Sequence, residues 1–366
     1  MEFKFFPSLE QVASVRVAVL LIQQHEELGR LLDKDIQIPQ QNHFFDLQRH
    51  CLWNYIHYIV GRELALIPTP LHLKVLKMIQ PMHFQATLWL KDHDFLPHRK
   101  GFSFNYRKML CWSPDGSIDR EGTAMKYVKM QEFDTRDRFI MACNYGFEEQ
   151  ILHLWDVVKI VGINCTARRG VNSAVRLWMD LLRNGCTSPS KEKAEAHFAI
   201  ENLKPTDIPL RLSTYFKYLS PALRQEYFKP LGRHHLHEDD FRMCLPQMGE
   251  AERDRLFKAQ PIDALGHYLE HPFEFRFIKM AKKLSPDMVL NDYIIILDVM
   301  LKLFMLCGDL YSDLMKAYWA KIPALMKRRI KRTRHFKVYN RVFKHKQNRL
   351  RNLQEIIGVY HFSYIK

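Results

Sequence analysis

Apolar residues recur every three to four positions along most of the chain, which is the spacing of half-buried helices. Ile151, Leu152, Trp155 and Val158 form one stripe, and Ala174, Leu177, Trp178, Leu181 and Leu182 a second. Ile208, Leu212, Phe216 and Leu219 form a third. Stop signals stand where such helices should end: Gly162, Gly185, Pro205, Pro221, Pro230, Gly249, Pro272 and Pro323. The pattern predicts helices of about ten to sixteen residues joined by short links, with no two-residue β-hairpin signal. The expected fold class is all-α, made of stacked antiparallel helical hairpins of ankyrin-like or α-solenoid-like type.

Capping residues sharpen the boundaries. Asp119 is placed to cap a helix running towards Met130, with Glu121 and Gly122 in its first turn. Asp134 is placed to cap DTRDRFIMACNYG, which stops at Gly146, and FEEQILHLWDVV follows as its antiparallel partner. Residues 112–117, WSPDGS, carry a Pro-Asp-Gly turn. Phe84 to Trp112 shows the weakest period, so an irregular segment is expected near 84–117. Three regions follow: an N-terminal helical region with that segment (1–117), a helical-repeat core (118–326) and a basic amphipathic C-terminal helix (327–358).

Two greasy runs raise the membrane question. Val12 to Ile22 is apolar but short and carries Arg16, and reads as a buried helix rather than a targeting segment. Ile294 to Cys307 is interrupted by Asp298 and Lys302, which at i,i+4 are expected to pair on one face. Both fall short of the about 20 apolar residues a bilayer requires, so no transmembrane segment is expected.

With 47% apolar and 12% aromatic residues and only 14 Gly and 17 Pro among 366, the chain has the composition of a packed core and not of a disordered tail. Its seven cysteines are scattered without a CxxC pair, which indicates neither a disulfide framework nor a structural zinc site. A reducing, cytoplasmic location fits, with no cofactor.

Charge changes the picture. The net charge is +15, yet fourteen Lys/Arg and no acid lie between Leu314 and Gln354, so the rest of the chain is almost neutral. A local charge field implies a local partner or address. Within it, Phe336, Tyr339, Phe343, Leu350, Leu353 and Ile357 recur at helical spacing, with Lys337, Arg341, Lys344 and Arg351 on the opposite face. The denser cluster Lys327, Arg328, Arg329, Lys331, Arg332 and Arg334 precedes them. These ten cations are the expected contact residues. The readings are a terminal capping helix, a nuclear-import address, a nucleic-acid site, or a strip for an anionic membrane or acidic protein. Helical spacing turns the aromatics inward, which counts against base stacking.

The run GSIDREGTAMKYVKMQEFDTRDRFIMACNYGFEEQILHLW resembles a family of arthropod proteins abundant in arachnids. The likeness continues in YFKYLSPALRQEYF, in MGEAERDRLFKAQPIDALGHYLEHPFEFRF and in DLYSDLMKAYWAKIP, over roughly residues 105 to 330. That family looks like degenerate ankyrin-type helical repeats, so the resemblance implies a helical-repeat fold. It implies no catalytic residue, and no clean repeat of about 33 residues is found.

Candidate chemistry is sparse. His234 and His237 at i,i+3, with Glu238 or Asp240 as a third ligand, could share a metal in a composite site near 234–240. The bland alternative is a solvated polar loop in which Asp239 or Asp240 caps the next helix. Asp115, Ser117, Asp119 and Glu121 alternate like a calcium loop, but Arg120 stands where the turn glycine belongs and Lys126 where the bidentate glutamate belongs. There is no GxSxG elbow, P-loop or GxGxxG. Cys51 beside His50 points a different way on a helix, and Trp155 and Trp178 lie on core stripes. The expectation is a non-enzymatic intracellular protein-interaction module with an unknown protein partner. Polyanion binding through the basic segment is the alternative, and a metal-binding protein or enzyme centred near 234–240 the second.

Overall fold

A computed structural model describes residues 8–37, 43–65, 67–96, 105–161, 171–200, 208–229, 235–269, 274–307 and 310–344. Among these the chain is all-α, without a strand; only two isolated β-bridges occur, Trp112 with Ile118 and Leu210 with Leu236. In chain order the helices are α1 (Leu9–Gln24), α2 (Glu26–Gln37), α3 (His43–Glu63), α4 (Thr69–Asp92), α5 (Tyr106–Met109), α6 (Arg120–Lys129) and α7 (Thr135–Tyr145). Then come α8 (Glu148–Val161), α9 (Ser173–Arg183), α10 (Lys191–Ile200), α11 (Leu212–Tyr215), α12 (Pro221–Tyr227), α13 (Asp240–Cys244) and α14 (Glu250–Ala259). The last are α15 (Pro261–His267), α16 (Glu274–Leu284), α17 (Leu290–Cys307), α18 (Leu310–Lys321), α19 (Ala324–Lys331) and α20 (Phe336–Lys344). No helix of the described residues is long and apolar enough to cross a membrane.

The chain forms two compact units, one built on Gln85–Ser113 and Ile118–Asp254, the other on Phe5–Phe84 and Arg255–Lys366. In the first, α7 packs against α6, α8 and α9. Their boundaries follow from local chemistry. The Asp119 carboxylate caps α6 by accepting the Gly122 N–H at 2.8 Å, and Asp134 accepts the Arg136 N–H at 2.8 Å at the head of α7. Gly146 ends α7 at φ +63°, a left-handed cap that non-glycine residues adopt only at a cost, and its N–H closes on α7 carbonyls. Asp115 accepts from the N–H and hydroxyl of Ser117, with Gly116 at φ +90° in the turn. The acids of the calcium-like alternation at Asp115 and Asp119 thus serve the turn and the cap. The stripes pack as their spacing requires: Ala174, Leu177, Trp178, Leu181, Ile208, Leu212, Phe216 and Leu219 are buried, while Trp155 is half-buried.

A repeat becomes visible between residues 212 and 258. α11 runs into a 3₁₀ turn (Phe216–Tyr218), an extended Leu219 and then α12; α13 runs into a 3₁₀ turn (Leu245–Gln247), an extended Met248 and then α14. The two copies are 29 residues apart at the start of each 3₁₀ turn. A side-chain bond repeats with them: the Arg224 guanidinium donates to the Phe216 carbonyl at 3.0 Å, and Arg253 to the Leu245 carbonyl at 3.5 Å. The second unit holds a related element: α16, a 3₁₀ turn (Ser285–Asp287), an extended Met288 and α17, with the Tyr293 hydroxyl donating to the Ser285 carbonyl at 3.0 Å.

In the second unit α17 and α18 pack together, α15 and α19 lie against α17, α16 against α18, and α20 against both α17 and α18. In the same unit Asp35 ties α2 to α3 and α4, accepting the Trp53 indole N–H at 3.1 Å and facing His83 Nε2 at 3.1 Å. The run Val12 to Ile22 lies within α1, with Val15, Ala18, Val19 and Ile22 buried and Leu20 exposed.

Three expectations are corrected. The irregular segment near 84–117 begins later, because α4 continues to Asp92. Residues 81–83, 85, 86, 89, 90 and 92 are all buried, so this helix is covered on most sides and shows no stripe. The single basic helix over 327–358 is, as far as the described residues go, two helices. Arg332 caps α19 and the Thr333 hydroxyl donates to the Ile330 carbonyl, which breaks the helix before α20. Residues 345–358, including Arg351, lie outside the described residues. Asp298 does not pair with Lys302; it accepts the Tyr339 hydroxyl at 2.6 Å and faces His335 Nδ1 at 3.4 Å.

Candidate functional site

Two clusters bear on function: a buried polar centre in the first unit and a cationic surface in the second. The first contains the residues flagged near 234–240, although His234 lies outside the described residues. It is not a solvated loop. His237, Asp239 and Asp240 are 2%, 5% and 0% exposed, and they join Asp92, His93, Arg120 and Arg211, none above 5%.

Charge pairing organises this centre. Arg120 donates to Asp92 at 2.5 Å and lies 3.3 Å from Asp239, so one guanidinium bridges the two carboxylates. Arg211 donates to Asp239 at 2.9 Å and stacks over the Tyr145 ring at 4.8 Å. The Glu238 N–H donates to Asp92, and Asp240 accepts the N–H groups of Leu212 and Ser213 at 2.6 and 3.2 Å together with the Ser213 hydroxyl. Asp240 therefore caps α11 from 28 residues downstream, whereas sequence proximity had suggested that it capped α13. The centre stitches the ends of α4 and α7 to the starts of α6, α11 and α13.

Tautomers follow from the partners. The Trp89 carbonyl, 2.6 Å from His93 Nδ1, can only accept, so Nδ1 carries the proton and Nε2 accepts from the Tyr145 hydroxyl at 3.2 Å. Burial holds the His93 imidazole neutral, lowering its pKa to about 3 against the helping Trp89 carbonyl. His237 is likewise pushed well down by burial and by His93 and Arg211. Its Nδ1 faces Arg211 at 3.4 Å, while Nε2 has no hydrogen-bond partner. Burial raises the Asp92 carboxyl to about 7 in spite of Arg120, and the Asp240 carboxyl to about 6 in spite of Arg211. Burial pushes Asp239 up as well, but Arg120 and Arg211 together outweigh it and hold that carboxylate well below its usual range.

Asp92, His237 and Asp239 bring ligand atoms within 4.8 Å of one another, the arrangement a metal ion would need. Arg120 already bridges both of these carboxylates, and the guanidinium of Arg211 faces both Asp239 and His237 Nδ1. A divalent ion added to two carboxylates and two guanidinia would leave a buried excess of positive charge. The donor set does not fit a metal. It fits a structural tie, in which losing one partner of a buried pair costs about 3–5 kcal/mol.

The cationic surface lies on α19 and α20. On α19, Leu325, Arg328, Arg329 and Arg332 are exposed at i, i+3, i+4 and i+7, while Ile330 on the other side is fully buried. On α20, Lys337, Arg341 and Lys344 are exposed at i, i+4 and i+7, while Val338, Tyr339 and Val342 are buried. Lys331 and Arg334 are also exposed, and Lys327 is half-buried over the Trp319 ring at 6.0 Å. Trp319 in turn packs between Phe336 and Phe343, at 5.5 and 5.2 Å between ring centres. The aromatic residues of the strip are thereby committed to packing.

Sequence reasoning identified these nine surface cations but missed Asp92, Arg120 and Arg211. Their partners lie 28 residues away in each case, a distance at which periodicity carries no signal. Comparison with protein-family models, with curated proteins and with solved structures finds no match.

Proposed function

We propose that the protein is a non-enzymatic helical-repeat interaction module that docks an acidic partner on the exposed faces of α19 and α20. The observation that carries this reading is the placement of nine cations, Lys327 to Lys344, in a stretch with no acidic residue and with its apolar side turned inward. A surface of this kind is held in place by the fold and needs no induced helix to form. Helical repeats, ankyrin-like in type, are supported by the copies 29 residues apart and by the tetrapeptide Thr69-Pro70-Leu71-His72 at the head of α4. The motif stands once, at the head of α4, where the reading of the family resemblance took it to be absent. Repeat stacks offer extended surfaces to partners, an argument by analogy of fold.

The test is retention on immobilised heparin across a salt gradient. Replacing Arg328, Arg329 and Arg332 by Glu should move elution to markedly lower salt, with the circular dichroism spectrum unchanged because all three are exposed. Elution at the wild-type salt concentration would overturn the docking role.

A further inference from the structure

We infer that the partner of the α19–α20 strip is the phosphodiester backbone of duplex nucleic acid, bound without regard to base sequence. This rests on the docking reading above and narrows it to one chemistry. Four observations converge on it.

The strip carries charge and little else. Leu325, 56% exposed, is the one large apolar side chain open to solvent on the two helices. Protein-binding hot spots are built from aromatic and arginine anchors in desolvated pockets, and lysine is depleted there. Here Trp319, Phe336 and Phe343 are packed against one another. An anionic membrane would be met by an amphipathic helix laying its apolar face between the lipids. Ile330, Val338, Tyr339 and Val342 are instead 0–3% exposed and face the fold.

The spacing matches a regular polyanion. Arg328 to Arg332 and Lys337 to Arg341 are each one helical turn apart, a rise of about 6 Å, comparable with the separation of neighbouring phosphates along a strand. Arginine supplies five of the nine cations, and its planar fork grips phosphate oxygens in pairs. A duplex presents about one charge per 1.7 Å of axis, a continuous array that a strip without acids can meet along its whole length. With its aromatics packed inward, the strip has no platform for unstacked bases, so it reads backbone and not sequence.

The experiment follows fluorescence anisotropy of a labelled mixed-sequence DNA duplex, alongside heparin retention and sedimentation with phosphatidylserine vesicles, at matched salt. The wild-type protein should bind two duplexes of unrelated sequence equally. Its log K should fall with log salt at a slope between about −3.6 and −5.4, corresponding to four to six phosphates. Arg328→Glu/Arg329→Glu/Arg332→Glu should weaken duplex binding more than tenfold and flatten the slope by about 3. Lys337→Gln/Lys344→Gln, a milder pair, should flatten it by about 2, which guards against misfolding of the triple variant. Strip-dependent heparin retention without duplex binding, or vesicle binding stronger than duplex binding, would overturn the nucleic-acid inference and leave the docking reading standing. Failure of the wild-type protein to be retained on heparin, or retention indifferent to both variants, would overturn both.

Discussion

His93 and Asp92 are neighbours in the chain whose ionisation is driven in opposite senses by one dry environment. The imidazole, pushed to about 3, is neutral in the folded protein but takes up a proton on unfolding at any pH below 6.5. Its contribution to stability is therefore complete above pH 6.5 and is lost as pH falls. The Asp92 carboxyl, raised to about 7, holds a proton that the unfolded chain releases, so its contribution is complete below about pH 4 and is lost as pH rises towards 7. His237 acts in the sense of His93, and Asp240 in the sense of Asp92. Between about pH 4.5 and 6 these opposed groups nearly cancel, so the buried centre as a whole should add almost no slope to the stability of the wild-type protein. His93→Gln should change the slope by about −1.4 kcal/mol per pH unit and Asp92→Asn by about +1.4, as read from urea unfolding across that window. Equal slopes in the two variants would show that these groups do not titrate in opposition. Gly146 gives a simpler case. An alanine there would hold an unfavourable left-handed conformation and press its Cβ into the Thr214 methyl at 2.7 Å, so Gly146→Ala should cost at least about 1–2 kcal/mol in chemical denaturation. This glycine was legible in the sequence as a stop signal. The ionic centre was not, because nothing in Arg120 or Arg211 as letters distinguishes a buried guanidinium from a solvated one.

At the scale of elements, legibility followed amphipathicity. α6 and α7 were bounded in the sequence because Asp119, Asp134 and Gly146 act on their own immediate backbone. The last turns of α4 were not, since a helix buried on most sides has no polar face to set a period. The strip shows the intermediate case. The two faces of α20 were readable, but the break at Thr333 and the docking of Tyr339 on Asp298 were not, because the second depends on α17 lying beneath. That hydrogen bond, at 2.6 Å to a half-buried carboxylate, fastens the cationic helix to its support. Hydrogen bonds to charged groups contribute about 1.5–3 kcal/mol. Tyr339→Phe should accordingly raise amide exchange in Phe336–Lys344 at least about tenfold relative to α17. Unchanged protection would mean that apolar burial of Val338 and Val342 alone secures α20.

For the whole molecule, the apolar period foretold an all-α chain and the order of charges a concentrated basic segment, yet neither revealed the spacing of the repeat. Its copies place Phe216 where the next has Leu245, and Tyr227 where the next has Leu256, so burial is conserved between copies while residue identity is not. The charge, by contrast, is legible as position, and position is what should matter. At about 0.1 M salt the Debye length is about 10 Å, so cations scattered over the surface act almost independently while those on one strip act together. Replacing Arg328, Arg329 and Arg332 by Gln removes three positive charges; replacing the exposed Lys129, Lys191 and Lys282 by Gln removes the same number from α6, α10 and α16. On heparin the strip variant should elute at clearly lower salt and the scattered variant close to wild type. Equal shifts would show that net charge, and not the arrangement on α19 and α20, governs what this protein binds.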